Sequence, residues 1–241
     1  YEYAPLNRDS EITGTKAAFG TPARPVLALD KADVVVSFDA DLLGTHPAHL
    51  RYANDWAQSR KRADTADSHG HRTMNRLFIV ESTFSITGTV ADARLGAKSS
   101  RIPLLVGLLA KELGVSGITT SGEATEAEAK FIKAAAADLK AAGGKAVVAV
   151  GANLPADAHA AAVAINAHLA STAVAYFTDE LADRPTHAAD IAKLSTDMAA
   201  GSVKLLIIIG GYPAYEGPAD SPFAKALRDV PASIHLSLYD N

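Results

Sequence analysis

The fold is decided by the stretch Val34-Val35-Val36-Ser37-Phe38-Asp39. A run of apolar, mostly β-branched residues that ends at a carboxylate, without alternation of polar and apolar positions, is typical of a parallel strand covered on both faces. Similar runs recur along the chain. They predict further strands over residues 77–80, 146–150, 174–177, 205–209 and 234–238.

Helical patterns lie between these strands. They cover residues 47–61, 102–113, 123–142, 155–170, 186–200 and 221–229. The face of the first helix that is expected to be buried holds Leu50, Ala53, Trp56 and Ala57. The corresponding face of the second holds Ile102, Leu105, Leu109 and Leu113. The charged, aperiodic segment 59–73 is predicted to be a surface loop.

The alternation of strands and helices predicts βαβ units with right-handed crossovers. The expected fold class is α/β, with two adjacent Rossmann-like, doubly wound units and largely parallel sheets. A stretch rich in Gly, Ser and Thr at residues 114–122 marks the expected boundary. The first unit is then 1–122, with its upstream part missing, and the second is 123–241. The second unit is expected to form a parallel sheet from the strands near 146, 174, 205 and 234.

Composition excludes several classes of function. The chain has 241 residues, 48% of them hydrophobic, and a net charge of -4 without a basic stripe, so nucleic acid is not an expected partner. Its longest apolar runs are far shorter than the ~20 residues of a membrane span. It contains no cysteine, which excludes thiolate ligation of an iron–sulfur cluster, disulfides and a cysteine nucleophile. Because it starts at Tyr1, without methionine or a signal sequence, it reads as a piece of a longer protein.

Ligands of a doubly wound sheet bind beyond the carboxyl ends of its strands. The loops expected there contain Asp39, Asp41, His46, Glu81, Asp179 and Glu180, which suit a metal or acid–base chemistry, although helix caps and turns are the favoured explanation. Asp39, Asp41, His46 and His49 together suggest a metal site, but ordinary surface positions are the favoured explanation for them. The glycines of Gly210-Gly211-Tyr212-Pro213 allow close approach of a phosphate, but a tight turn explains them as well. The motifs Gly-x-Gly-x-x-Gly, Gly-Lys-Ser/Thr and Gly-x-Ser-x-Gly are absent.

A family resemblance rests on several local strings. The first is Asp33-Val34-Val35-Val36-Ser37-Phe38-Asp39-Ala40-Asp41-Leu42-Leu43-Gly44, and the most specific is Asn75-Arg76-Leu77-Phe78-Ile79-Val80-Glu81-Ser82-Thr83. Others are Tyr3-Ala4-Pro5-Leu6-Asn7-Arg8-Asp9, Ala91-Asp92-Ala93-Arg94-Leu95 and Leu236-Ser237-Leu238-Tyr239-Asp240. Together they resemble the molybdopterin-oxidoreductase-like half of the iron–sulfur subunit of alternative complex III, a quinol:cytochrome c or quinol:electron acceptor oxidoreductase of respiratory chains.

The resemblance implies a larger protein whose other half carries cysteine-bound iron–sulfur clusters, while this part holds no cofactor. It implies three kinds of partner: the cluster-bearing remainder of the same chain, a multihaem cytochrome, and integral membrane subunits. This part itself is expected to have no membrane span. The resemblance further implies Tat-like export and a location on the periplasmic face of the cytoplasmic membrane.

True molybdopterin enzymes hold the guanine dinucleotide ends of their cofactor with the equivalent loops, and this chain departs from their pattern. Glu81 stands where an Asp-Pro-Arg string is usual, Ser99-Ser100 replaces a Pro-Gly-Thr turn, and Tyr212 takes the place of the Asn in Gly-Asn-Pro. A carboxylate at position 81 is also expected to repel a pyrophosphate. The resemblance therefore implies a vestigial crevice, without catalytic residues or a metal. Its candidate residues are Asp41, Gly44, His46, Glu81, Ser82, Thr83, Gly210, Gly211 and Tyr212.

Three hypotheses about function follow. The leading one is a non-catalytic scaffold module of a molybdopterin-oxidoreductase-like iron–sulfur subunit. The alternative is an oxidoreductase subunit that binds a molybdopterin guanine dinucleotide. The third is a small nucleotide- or sugar-binding domain that uses Gly210-Gly211 and nearby carboxylates. A piece of a longer protein is also expected to expose a large apolar patch.

Overall fold

The computed structural model describes residues 1–61, 74–179 and 182–238. Its internal contacts divide the chain into two compact units. The large unit is Ser10–Ala182, and the small unit combines Tyr1–Asp9 with Asp183–Asn241. The predicted boundary at residues 114–122 does not coincide with this division. The predicted loop at 59–73 lies mostly outside the described residues, and its first three residues belong to a helix.

Strands and helices alternate through most of the large unit. Its strands are β1 (Ala23–Leu27), β2 (Val34–Phe38), β3 (Arg76–Glu81), β4 (Ala93–Gly96), β5 (Ala146–Val150) and β6 (Val174–Thr178). Its helices are α1 (Asp9–Phe19, which begins at the last residue of the N-terminal segment), α2 (His49–Lys61), α3 (Ile86–Val90), α4 (Ile102–Leu113), α5 (Glu126–Ala142) and α6 (Ala156–His168).

The central sheet of the large unit has four strands in the order β4-β3-β2-β5, and all are parallel. Val34 lies opposite both Arg76 of β3 and Ala146 of β5, so β2 is the inner strand from which the chain proceeds first to one side and then to the other. This reversal is a topological switch point. The predicted mixed α/β class is confirmed, and the sheet is compatible with a Rossmann-like fold.

Helices cover this sheet on both faces. Val36 and Phe38 contribute to a core shared with α4, α5 and α6, whereas Val35 packs towards Tyr52 and Trp56 of α2. Successive residues of β2 are thus buried on opposite faces, which explains the lack of alternation in the sequence. The predicted buried stripe of α4 is confirmed, since its four residues are all buried.

The start of α5 shows how capping sets a boundary. The Thr125 hydroxyl accepts a hydrogen bond from the N–H of Glu128 (3.3 Å), and the Glu128 carboxylate accepts one from the N–H of Thr125 (2.8 Å). Reciprocal bonds of this kind satisfy N–H groups that an unfinished helix turn leaves open. The helix therefore begins at Glu126 and not at residue 123 as predicted.

The small unit contains α7 (His187–Ala199), β7 (Leu205–Ile209), α8 (Pro213–Glu216), α9 (Phe223–Leu227) and β8 (Ala232–Leu236). β7 and β8 form a parallel pair. The core of this unit is formed by Ile191, Leu194, Met198, Phe223 and Ala226.

The predicted second sheet is wrong. Strand 146–150 joins β2 in the central sheet, and strand 174–178 pairs antiparallel with β1. Only the strands near 205 and 234 pair with each other. An apolar run reports that a strand is buried, but it carries no information about its partner.

Among the helices in the described part of the chain, none is long and apolar enough to cross a bilayer.

Candidate functional site

The carboxyl ends of β2, β3 and β5 meet at one edge of the central sheet, beside the switch point. In an open parallel sheet this edge is where ligands bind. Two carboxylates, Asp39 and Asp41, follow β2 directly, and Glu81 is the last residue of β3. The structure therefore brings together most of the candidate residues of the large unit.

Asp39 ties the ends of three strands together. Its carboxylate accepts hydrogen bonds from the Ser82 N–H (2.9 Å), the Ser82 hydroxyl (3.0 Å) and the Asn153 side-chain amide (2.9 Å). Its backbone has φ of 52°, in the left-handed region that Asp tolerates better than most residues. Asp39 thus bridges β3 and the loop after β5 from the end of β2.

The carboxylate of Asp41, two residues after Asp39, also accepts three hydrogen bonds. They come from the Thr87 N–H (3.0 Å), the Thr87 hydroxyl (2.7 Å) and the Thr45 N–H (2.9 Å). Burial raises the pKa of Asp41, but the bonds from Thr87 and Thr45 outweigh it and hold the pKa below its usual value. A side chain at Gly44 would overlap this carboxylate in its present position, so the Asp41 side chain would have to shift.

Glu81 is buried, with 2% of its surface exposed. Its carboxylate forms an ion pair with the guanidinium of Arg94 and accepts a hydrogen bond from the Ser85 hydroxyl (2.6 Å). A side chain at Gly88 would overlap it. The ion pair offsets the charge of Glu81, and the expected repulsion of a pyrophosphate stays a prediction.

His46 is part of the approach to α2. Its Nδ1 accepts a hydrogen bond from the Ala48 N–H (3.0 Å), and its ring lies 4.8 Å from that of Tyr52. His49 contacts the His46 carbonyl oxygen through Nδ1 (2.9 Å). Within the described ranges no group of three or more His, Cys, Asp or Glu side chains could hold a metal ion.

The remaining sequence candidates near this edge have different roles. Ser82 donates to Asp39, whereas Thr83 is exposed beside it. Ser99 and Ser100 lie in a short turn before α4. The guanidinium of Arg101, at the end of this turn, pairs with Glu128 (2.6 Å).

The glycine turn belongs to the small unit, so it is described separately. Gly210 and Gly211 have φ of 65° and 64°. The Gly210 N–H donates to Leu236 (3.1 Å), the Tyr212 N–H donates to the Glu216 carboxylate (3.1 Å), and His235 Nε2 contacts the Gly211 carbonyl oxygen (2.9 Å). The turn is thus a tight connection into α8.

Two side chains that shape the large-unit edge were not singled out from the sequence. Arg94 lies on β4, a short strand interrupted by charge and ending in glycine, which gave no strand signal. Asn153 follows β5 in a loop whose position was expected, but a lone amide carries no recognisable spacing.

Comparison with known proteins gives no further assignment: neither a protein-family model nor a curated protein sequence matches the chain.

Replacing Asp41 by asparagine is expected to reduce the free energy of unfolding by about 1.5 kcal/mol at pH 7, because hydrogen bonds to a charged acceptor are lost. The Asp41 pKa is depressed in the folded state, so its stabilising contribution is present above the unfolded pKa. That contribution disappears as the pH falls through the folded pKa. Urea unfolding at pH 7 and near pH 3 checks this.

The matched control is Asp229→Asn, at an exposed position of the small unit. This control is expected to leave both stability and its pH dependence unchanged. An equal loss for Asp41→Asn at both pH values would contradict the assigned role of the Asp41 charge.

Proposed function

We propose that the chain is the molybdopterin-oxidoreductase-like module of an iron–sulfur subunit in a respiratory quinol:acceptor electron-transfer complex, where it is a scaffold without chemistry of its own. The resemblance of its strings around residues 33–44 and 75–83 supports the family. The observation that carries the scaffold role is the occupation of the crevice at the switch point by the chain's own carboxylates.

Anion binding at such an edge depends on backbone N–H groups and hydroxyls that point into the crevice. Here the Ser82 N–H donates to Asp39, and the Thr45 and Thr87 N–H groups donate to Asp41. In this proposal, each carboxylate takes up the donors that a phosphate of a bound dinucleotide would need. A ligand phosphate has to displace a carboxylate that already holds three donors, and then lies beside a like charge.

The partners in this proposal come from the resemblance. The cluster-bearing remainder of the parent chain supplies the electron carriers, since this chain has no cysteine to ligate them. A multihaem cytochrome and integral membrane subunits complete the complex. The module lies on the periplasmic face of the membrane after Tat-type export.

The rival hypothesis is an oxidoreductase subunit that binds a molybdopterin guanine dinucleotide. The feature that favours it is the switch point itself, since four parallel strands with this order form the edge at which dinucleotides bind.

Titration of the chain with GDP distinguishes the two hypotheses. We expect no saturable heat of binding up to about 1 mM GDP, because Asp39 and Asp41 already accept the hydrogen bonds of the available donors. A dissociation constant of about 1 mM corresponds to a binding free energy of only about 4 kcal/mol, so even weak binding would be detected. The backbone amide resonances of residues 39–46, 81–88 and 151–154 are expected to stay unchanged. Micromolar binding of GDP that shifts those resonances, or one molybdenum or tungsten per chain in the full-length subunit, would establish the rival.

A double variant, Asp39→Ser with Asp41→Ser, tests the reason for the expected result. Removing both carboxylates frees the donors, so inorganic phosphate is expected to bind at millimolar concentration and to shift the same resonances. Failure of the folded variant to bind phosphate would show that these donors do not form an anion cradle, which removes the observation on which the scaffold role rests.

A further inference from the structure

The small unit exposes one face of its two-stranded sheet. Leu205, Ile207 and Ile209 of β7, together with Ile234 and Leu236 of β8, are between 50% and 77% exposed. The pairing register places Ile207 opposite Ile234 and Ile209 opposite Leu236, so these five side chains share one face, which we call the outer face. The expected exposed apolar patch is therefore confirmed.

The outer face is unusual for a parallel sheet. Parallel strands are normally covered on both faces, and a two-stranded sheet has little stability of its own. The opposite face already has its cover, because Leu206 packs with the core formed by α7 and α9. The outer face exposes on the order of 500 Å² of apolar surface, near the upper end of the largest patches on monomeric proteins.

We propose that a second copy of this chain covers the outer face, so that the two sheets pack face to face around a two-fold axis. A stable interface buries about 800 Å² on each partner, and in homodimers roughly 65% of this area is apolar. The apolar area that this implies, roughly 500 Å² per partner, is the area that the outer face offers.

The chemistry of the outer face favours a copy of itself over a different protein. A two-fold interface brings each patch against an identical patch, so any charge on it lies near a like charge. The strand residues that form this face, including Ala232 at its edge, are all apolar. Interfaces with a different protein commonly use complementary charges to select the partner, and the outer face carries no charged side chain.

Light scattering and sedimentation of the full chain from about 1 to 100 μM test the dimer. We expect twice the chain mass of 25.0 kDa at the upper end of this range. Ile207→Lys places a charge at the centre of the face and is expected to weaken association at least ~100-fold, because an unpaired charge is costly to bury. Leu50→Lys, at a position of α2 that is 78% exposed, is the matched control and should leave the dimer intact.

Since the chain has no cysteine, single-cysteine variants provide a second measurement that does not depend on how a lysine is tolerated. Ile207→Cys and Ile234→Cys are treated with copper phenanthroline and oxygen, and at least one is expected to form a disulfide-linked dimer much faster than Leu50→Cys. A monomer at 100 μM, a dimer that Ile207→Lys leaves unchanged, or equal crosslinking of the Leu50→Cys control would each overturn the proposal. A monomer would assign the outer face to a different partner.

Discussion

Arg94→Met is expected to lower the free energy of unfolding by about 3–5 kcal/mol, because it leaves a buried carboxylate without its counter-charge. Glu81 is 2% exposed, and the Arg94 guanidinium is its ion-pair partner. The Ser85 hydroxyl still donates one hydrogen bond to Glu81, but a single neutral donor does not compensate a buried charge. Urea unfolding at pH 7, followed by circular dichroism, measures the loss.

Two further variants separate this effect from the loss of the arginine's packing. Lys145→Met removes an ion pair with Asp33 whose two side chains are both well exposed, so we expect a loss below about 1 kcal/mol. Arg94→Met combined with Glu81→Gln removes the buried charge while keeping an acceptor for Ser85, and it is expected to recover most of the lost stability. A double variant as unstable as Arg94→Met alone would show that the methylene packing of Arg94 matters more than its charge.

The sequence predicts the strands of this fold better than their partners. The run at 34–38 is apolar throughout because both its faces are covered, and the structure confirms the strand residue for residue. The same signal at 146–150 predicts a strand equally well. Its partner in the central sheet, however, is β2, where Val34 lies 112 residues before the paired Ala146. Pairing across such a separation depends on the topology of the whole chain, and local periodicity carries no information about it.

The buried face of α2 shows a second limit. Of the four residues expected inside, only Trp56 is buried. Leu50, Ala53 and Ala57 are exposed, and Tyr52 and Ser59 are buried instead. The Tyr52 hydroxyl accepts a hydrogen bond from the Leu27 N–H (3.2 Å), and the Ser59 hydroxyl donates one to the Leu29 carbonyl (2.9 Å). Polar atoms with such partners can be buried at little cost, and apolar periodicity therefore misplaces this face.

At the candidate site, the sequence predicts where the carboxylates lie but not which groups donate hydrogen bonds to them. Asp39 and Asp41 follow a parallel strand, and this alone places them at the ligand edge. Whether a carboxylate there awaits a ligand or already accepts bonds from its neighbours depends on Ser82, Thr87 and Asn153, which lie more than 40 residues away. Only the assembled sheet brings these donors to the carboxylates.

Gly151→Ala is expected to cost about 3 kcal/mol, at the upper end of what overpacking a closed site costs. Gly151 follows β5, and a methyl group there would overlap the backbone carbonyl oxygen of Asp39. These two backbone segments cannot move apart easily. The Gly151 N–H donates to Phe38 (2.8 Å), and the Asp39 N–H donates to Val80 (2.7 Å), so a shift of either backbone breaks the ladder of the central sheet. Urea unfolding measures the cost.

Gly96→Ala is the matched control, since a methyl group at this last residue of β4 would meet only Arg94, at 3.8 Å. We expect a change below about 0.5 kcal/mol for the control, the usual limit for a substitution that disturbs no buried contact.

The cost of Gly151→Ala also indicates how easily the crevice between β2 and β5 opens. A loss below about 1 kcal/mol for Gly151→Ala would mean that the ends of β2 and β5 separate easily enough to admit a methyl group. A crevice that opens so readily would admit a ligand more easily, which favours the dinucleotide-binding rival. A loss of about 3 kcal/mol would show that backbone hydrogen bonds hold the ends of β2 and β5 together.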